Sequence, residues 1–110
     1  MEKNVKEIRG HKIIELSGNI DFQRVEELKK FIFKLVKNNA PSIIIDLSQI
    51  EYIDSSGLVL FVTVQKTMNK YGGKIGLLNL KKETIELLKL ATIDTIFKIY
   101  NSLDEIEYRF

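Results

Sequence analysis

The spacing of apolar residues along this 110-residue chain alternates between a strand-like and a helix-like period. The segments 5–9 and 12–17 predict two strands of a β-hairpin whose tight turn contains Gly10 and His11. The side chain of His11 is expected to be solvated there. Apolar residues at helical spacing then predict a helix over 22–37. These residues are Val25, Leu28, Ile32 and Leu35.

A β-branched run and a long apolar run follow in the middle of the chain. The run at 43–47 is too short for a helix and follows Pro41, so it predicts a central strand buried on both faces. The run at 55–71 is unbroken between Asp54, which can cap it, and a pair of glycines, so it favours a helix. The predicted inner face of this helix is Leu58, Phe61, Val62, Gln65 and Met68.

The last third of the chain predicts short elements that alternate in type. They are a strand at 74–80, a helix at 82–90, a strand at 97–100, and a final short helix that opens at a capping-box pattern over 102–105. Ile106 and Phe110 are the expected anchors of that last helix.

The order of these elements predicts an α/β fold with a single domain over residues 1–110. An antiparallel N-terminal hairpin followed by alternating helices and strands implies a mixed sheet of four to five strands. The strands after the hairpin should be parallel, with about four helices around them. In such sheets the working surface lies at the carboxyl ends of the strands. The loops at 18–21 and 52–55 both reach that end, so they should be neighbours in space.

Composition and charge exclude several classes of function. The hydrophobic share of 45% and the charged share of 29% are those of an ordinary globular protein. The net charge of +2 is small and the lysines are scattered, so the chain is not expected to bind nucleic acid. No apolar stretch approaches membrane-spanning length, and the absence of cysteine fits a reducing compartment. We therefore expect a cytoplasmic domain with no membrane contact.

The most informative residues are Asp54, Ser55, Ser56 and Gly57, which stand where the central strand gives way to the long helix. The first turn of a helix has backbone N–H groups without intrahelical partners, and these groups favour a phosphate together with the positive helix end. A second interpretation needs no ligand, because Asp and Ser are preferred N-cap residues; Asp21 also fits it, as the cap of the helix over 22–37. Gly57 likewise has a structural interpretation, since a small residue lets the helix start lie close to the sheet.

Combinations of side chains that could perform catalysis are poorly supported. A Ser-His-Asp triad needs a base within hydrogen-bond reach of the serine, whereas His11 is predicted on the hairpin turn. The Gly-x-Ser-x-Gly elbow and the Gly-rich phosphate loop are absent, and no cluster of carboxylates predicts a metal site. Asp54 as a phosphoryl acceptor would need an acidic pair nearby, which Asp21 alone does not supply. We therefore expect no enzymatic activity, no metal and no cofactor.

Several motifs follow one pattern, in order, along nearly the whole chain. Gly18-Asn19-Ile20-Asp21 resembles the Gly-Glu-Leu-Asp loop of one domain family. The segment 45–58, which contains Asp54-Ser55-Ser56-Gly57, resembles the central signature of the same family. Gly72-Gly73-Lys74 before a strand and the segment 88–100 follow the later part of the pattern. Together these motifs resemble the STAS domain family, in its anti-sigma factor antagonist type.

The resemblance implies partner switching. In that family the unmodified antagonist binds an anti-sigma factor with serine kinase activity, which frees the sigma factor. The kinase then phosphorylates the Ser directly after the signature Asp, and a serine phosphatase resets the system. Carried over to this chain, the phosphoacceptor is Ser55. The acidic neighbours of the site are Asp54 and Asp21, and Ser56 and Gly57 belong to the same surface.

The residues and the resemblance together leave three points open. Val59 and Leu60 either supply the apolar part of the partner contact or pack under the neighbouring helix. Asn19 stands where the family often has Glu, which changes the charge of that loop. STAS domains also serve as scaffold or adaptor subunits, so a constitutive adaptor that is never phosphorylated is the alternative function.

Overall fold

The computed structural model describes residues 1–108 as one five-stranded sheet, a set of α-helices and a short C-terminal segment. In chain order the elements are β1 (Glu2–Ile8), β2 (His11–Ile20), α1 (Val25–Lys37), β3 (Ser42–Ile53), α2 (Ser55–Asn69), β4 (Lys74–Leu78), α3 (Lys82–Leu90), β5 (Lys98–Tyr100) and a 3₁₀ turn (Leu103–Glu105). The strands lie in the order β1-β2-β3-β4-β5, with β1 and β2 antiparallel and all later neighbours parallel. The predicted mixed sheet is therefore confirmed.

One large core lies between the sheet and the helices. The helices contribute Leu28, Ile32 and Val36 from α1, Phe61, Val64 and Met68 from α2, and Leu88 from α3. Side chains on a strand alternate between faces, so Ile43 and Ile45 reach this core while Ile44 belongs to a second core. β3 is thus a central strand buried on both faces, as predicted. Within residues 1–108 no helix has the length and apolar character needed to cross a membrane.

Gln65 ties α2 to β4 from inside the core. The side chain is only 4% exposed. Its Oε1 accepts a hydrogen bond from the Ile75 amide at 2.8 Å, and its Nε2 donates to the Gly73 carbonyl at 3.2 Å and to Asn69 Oδ1 at 2.7 Å. A buried amide that satisfies its donors and acceptor in this way holds the helix at one position on the sheet.

A smaller core on the opposite face of the sheet is closed by the C-terminal segment. Its buried members are Ile13, Ile44, Leu78, Tyr100 and Ile106. The Arg9 guanidinium donates to the carbonyl oxygens of Leu103 at 2.8 Å and Ile106 at 2.9 Å, which fastens the segment to the hairpin. Ile106 is therefore confirmed as an anchor, whereas Phe110 lies outside the described residues.

The predicted exposure of His11 is wrong. The turn lies at Arg9 and Gly10, which both have positive φ, and His11 is the first residue of β2. Its side chain is 6% exposed under the C-terminal segment. Nε2 lies 2.8 Å from the carbonyl oxygen of Glu107 and Nδ1 lies 2.5 Å from Ser42 Oγ. Because a carbonyl can only accept, Nε2 is the donor in the first of these bonds.

β3 continues to Ile53, well past its predicted end at Leu47. Residues 49–53 stay in the sheet because they pair with the carboxyl half of β2, where Ile20 is opposite Ile53. The strand therefore delivers the chain directly to Asp54, which leaves a single residue between the sheet and α2.

The described chain has three α-helices rather than about four. The predicted fourth helix is the 3₁₀ turn Leu103–Glu105, and its expected capping box does not form. Ser102 makes no side-chain cap, and the Glu105 carboxylate accepts instead from the amide of Asn101 at 2.9 Å. The Glu105 side chain therefore binds the amide of the residue before Ser102 and not that of Ser102, which a capping box requires.

Candidate functional site

The carboxyl ends of β2 and β3 lie side by side and bring the two predicted loops together. Ile20 and Ile53 pair across the sheet, and the backbone amide of Asp54 donates to the carbonyl of Ile20 at 3.0 Å. The next residue, Ser55, begins α2. The predicted proximity of these loops is therefore confirmed.

Asp54 uses both of its carboxylate oxygens. Oδ1 accepts from the Ser56 amide at 2.9 Å and from the Ser56 hydroxyl, and Oδ2 accepts from the Phe22 amide at 3.0 Å. These hydrogen bonds, that of the Ser56 hydroxyl foremost, hold the pKa of the Asp54 carboxyl below its usual value of 3.8. The predicted N-cap is confirmed, and the cap is an anion at neutral pH.

Three amides at the start of α2 already have acceptors on Asp54. The Ser56 amide donates to the Asp54 carboxylate, and the amides of Gly57 and Leu58 donate to the Asp54 carbonyl oxygen at 3.1 and 3.4 Å. The sequence predicted unpartnered amides here that would suit a phosphate. That prediction is wrong for Ser56 and Gly57, because the cap residue already accepts from both amides, while the Leu58 amide makes the ordinary first hydrogen bond of the helix.

The two adjacent serines have different surroundings. Ser56 is half-buried, and its hydroxyl donates to the carboxylate of Asp54. Ser55 is exposed at the first position of α2. Ser55 is therefore the more accessible of the two serines to an approaching protein, although both line the same groove.

Gly57 is buried where α2 starts against the sheet. A β-carbon at this position would lie 2.6 Å from Cγ2 of Ile20 and 2.8 Å from Cγ1 of Ile53, closer than any side chain tolerates. The predicted reason for a small residue here is therefore confirmed: the absence of a side chain lets the helix start lie on the two strand ends.

Asp21, the second acidic residue of the site, closes the turn before α1 and does not cap a helix starting at 22. Its Oδ1 accepts from the Arg24 amide at 3.1 Å, and its carboxylate pairs with the Arg24 guanidinium. α1 begins after this turn, at Val25. The nearby Asn19 Oδ1 is buried without a hydrogen-bond partner in residues 1–108. Among residues 1–108, no three acidic or histidine side chains are placed to hold a metal ion.

The sequence profile of the STAS domain family matches residues 2–106. The chain belongs to this family. It is 30% identical over 86 residues to the anti-sigma-B factor antagonist of Bacillus subtilis, with 78% of each chain covered. It is 26% identical over 104 residues to the anti-sigma F factor antagonist of Paenibacillus polymyxa, which covers 90% of this chain and 89% of that one.

Its fold is also similar to that of a solved STAS relative. An anti-sigma factor antagonist from Mycobacterium paratuberculosis superposes with a TM-score of 0.83 at 27% identity, over 94% of this chain and 88% of that chain. The resemblance predicted from the motifs is therefore confirmed at the level of the family and of its named relatives.

Two grooves flank Ser55 on the surface of this STAS domain. The α1–α2 groove has a volume of about 350 Å³, and the residues beside Ser55 in it include Phe22, Val25, Glu26, Lys29, Val59 and Thr63. The second groove, of about 320 Å³, lies between α2 and the turn after α3, and its lining includes Leu58, Val62, Lys66, Ala91 and Ile93. Both grooves share Ser55, Val59 and Thr63 on their walls.

For Val59 and Leu60 the sequence left two interpretations open, contact with a partner or packing under the neighbouring helix. Each residue fits a different one. Val59 is 63% exposed on the ridge between the grooves, so it is available to a partner. Leu60 is buried in the helix-side core and contributes only to the floor of the α1–α2 groove. The pair therefore divides into one surface residue and one packing residue.

Phe22 is the site residue that sequence reasoning missed. It was included in a predicted helix without a role, whereas it lies in the turn before α1 and is 79% exposed. The signal that could have identified it is its position, because it directly follows Asp21 in a loop predicted at the working end of the sheet.

Proposed function

We propose that this STAS domain is an anti-sigma factor antagonist that works in the cytoplasm by partner switching. It binds an anti-sigma factor with serine kinase activity, is released when that kinase phosphorylates Ser55, and is restored by a serine phosphatase. Relatives that are 26–30% identical and cover most of the chain carry the name anti-sigma factor antagonist, which supports the general role. The role is one of binding and not of catalysis.

The observation that carries this proposal is the contrast between Ser55 and Ser56. A kinase substrate must present a hydroxyl that can enter another active site and attack the terminal phosphate of ATP. Ser55 is exposed at the helix start, whereas the Ser56 hydroxyl is engaged by Asp54. The geometry therefore favours Ser55 as the acceptor.

A phosphate on Ser55 would act on binding more strongly than on folding. It adds a charge of roughly −1.5 to −2 at neutral pH. The positive end of α2 favours that charge by about 0.3–1 kcal/mol, while the ionised Asp54 opposes it. The same charge has a much larger free-energy cost when it is buried in an interface without a partner. Because about 1.4 kcal/mol is a tenfold change in affinity, the complex dissociates before the fold is affected.

A phosphorylation assay with the anti-sigma factor kinases of the same genome tests the proposal. Wild-type, Ser55→Ala and Ser56→Ala chains are incubated with each kinase and ATP, and their peptides are analysed by mass spectrometry. We expect one phosphate on the Ser55 peptide of the wild-type and Ser56→Ala chains and none on Ser55→Ala. No mass shift with any kinase, or transfer to Ser56, contradicts the proposal.

The alternative of a constitutive adaptor predicts a different result in a binding assay. An adaptor that is not regulated by phosphate should retain its partner equally well as wild type, Ser55→Ala or Ser55→Asp. A partner switch should retain it as wild type and Ser55→Ala but lose it as Ser55→Asp.

A further inference from the structure

Phe22 is a large apolar side chain held in solvent beside Ser55. It is 79% exposed and lines the α1–α2 groove together with Ser55 and Val59. A ring this exposed contributes little burial to folding, whereas aromatic side chains are among those that dominate binding energy at protein interfaces. A kinase that reaches the Ser55 hydroxyl must also cover these two neighbours, because all three side chains border one groove.

The backbone of Phe22 is tied to α2 through Asp54. The Phe22 amide donates to Oδ2 of Asp54 at 3.0 Å, across 32 positions of sequence. The other oxygen, Oδ1, serves the amide and hydroxyl of Ser56. One carboxylate thus joins the turn before α1 to the start of α2, and its two oxygens have separate partners.

We infer that Asp54 is a positioning residue that holds Phe22 beside Ser55, and that Phe22 is the apolar anchor through which the chain recognises the kinase that modifies Ser55. The positioning role is a property of the isolated chain. The recognition role rests on the proposed function and commits the α1–α2 groove to an apolar segment of that kinase.

Asp54→Asn separates the two tasks of the carboxylate. Asparagine keeps an acceptor, Oδ1, for the two donors of Ser56, but its NH₂ group then faces the Phe22 amide, so that two donors meet. Asp54→Ala removes both acceptors. The measurement is amide hydrogen exchange of the unbound chain, followed by NMR near neutral pH.

Asp54→Asn is expected to raise exchange at Phe22 about tenfold and to leave Ser56 unchanged, whereas Asp54→Ala raises both. This pattern would also exclude a purely capping role, because a lost cap exposes Ser56. Equal exchange at Phe22 in the wild-type and Asp54→Ala chains overturns the positioning role.

The recognition role is tested with the kinase that phosphorylates wild-type Ser55 in the assay above. Calorimetry should give a dissociation constant about tenfold weaker for Phe22→Ala. The matched control is Leu90→Ala on α3, where an apolar side chain is 82% exposed away from this groove, and it should bind like the wild type. Equal affinity of the Phe22→Ala and wild-type chains overturns the recognition role.

The two arms of the test fail independently. If no kinase modifies Ser55, both the proposed function and the recognition role are lost, while the exchange rates of Phe22 and Ser56 still decide whether Asp54 positions the loop.

Discussion

Gly57 and Ile20 approach each other so closely that no β-carbon fits between them. The nearest atom to an added β-carbon would be Cγ2 of Ile20, at 2.6 Å. Ile20 is fully buried and Cγ2 is attached directly to its β-carbon, so this methyl group has little freedom to move away. The contact sets the height of the start of α2, and therefore of Ser55, above the ends of the strands.

Gly57→Ala should destabilise the domain even though alanine is the better helix former. Overpacking at a buried site costs about 1–3 kcal/mol, which exceeds the gain of up to about 1 kcal/mol in helix propensity. The expected fall in melting temperature is about 5 °C or more. Ser55→Ala in the same turn is the control, and its free energy of unfolding should stay within about 0.5 kcal/mol of the wild type. Equal melting temperatures for Gly57→Ala and wild type would show that the strand ends yield.

Ser55→Asp and Ser56→Asp should differ sharply in stability. At position 55 the new carboxylate points into solvent near a helix start, so the melting temperature should stay within about 3 °C of the wild type. At position 56 it would face the carboxylate of Asp54 in a half-buried setting, so the melting temperature should fall clearly further. Thermal unfolding followed by circular dichroism compares the two variants, and a larger fall for Ser55→Asp contradicts the assignment of the exposed hydroxyl.

Asp54 should make folding stability depend on pH in the acid range. Its pKa is lower in the folded chain than the usual 3.8, because its ionised form accepts hydrogen bonds from Ser56 and Phe22. The stabilisation is therefore complete above the usual value and is lost as the pH falls through the lower folded pKa. Asp54→Asn lacks this titration.

The stability difference between wild type and Asp54→Asn should thus be constant above about pH 5 and shrink below it. Urea unfolding at a series of pH values measures this difference. The pKa values of Glu15, Glu27 and Glu107 are also lowered, but these groups are common to both chains and cancel. A difference that stays constant into strong acid would mean that the carboxylate contributes nothing through its charge.

Gln65→Met should be strongly destabilising although methionine has a similar length. The Ile75 amide and the Gly73 carbonyl would lose their side-chain partner inside the core. A buried polar group without a partner costs about 1–3 kcal/mol, so we expect a loss of about 2 kcal/mol or more. Lys66→Met changes the exposed neighbouring residue and should stay within about 0.5 kcal/mol of the wild type. The midpoint of urea unfolding compares both variants, and equal midpoints would show that Gln65 is dispensable.

The local sequence was sufficient to predict most of the sheet and the main helices. The period of the apolar residues predicted α1, whereas α2 was predicted from an unbroken apolar run between a cap residue and two glycines. It could not predict the length of β3, because residues 48–52 are mostly exposed and are kept in the sheet by backbone pairing with β2. The burial of His11 escaped prediction for a similar reason, since its cover is a carbonyl 96 positions away.

The features of the candidate site were likewise predictable only where they depend on adjacent residues. The Asp54 cap and the exposed start of α2 at Ser55 depend on adjacent residues, and the sequence indicates both. The hydrogen bond from Phe22 to the second oxygen of Asp54 depends on parallel pairing of β2 with β3. Only the assembled sheet brings those two segments within hydrogen-bonding distance, so the sequence indicated that Phe22 lies next to the site but not that its amide binds Asp54.

The occupied amides at the start of α2 have a consequence for reversibility. A phosphoryl group on Ser55 would not find the amides of Ser56 and Gly57 free, because Asp54 already accepts from both. The group could therefore be added and removed without breaking these cap hydrogen bonds. A kinase and a phosphatase would then meet the same helix start, held by the same residue.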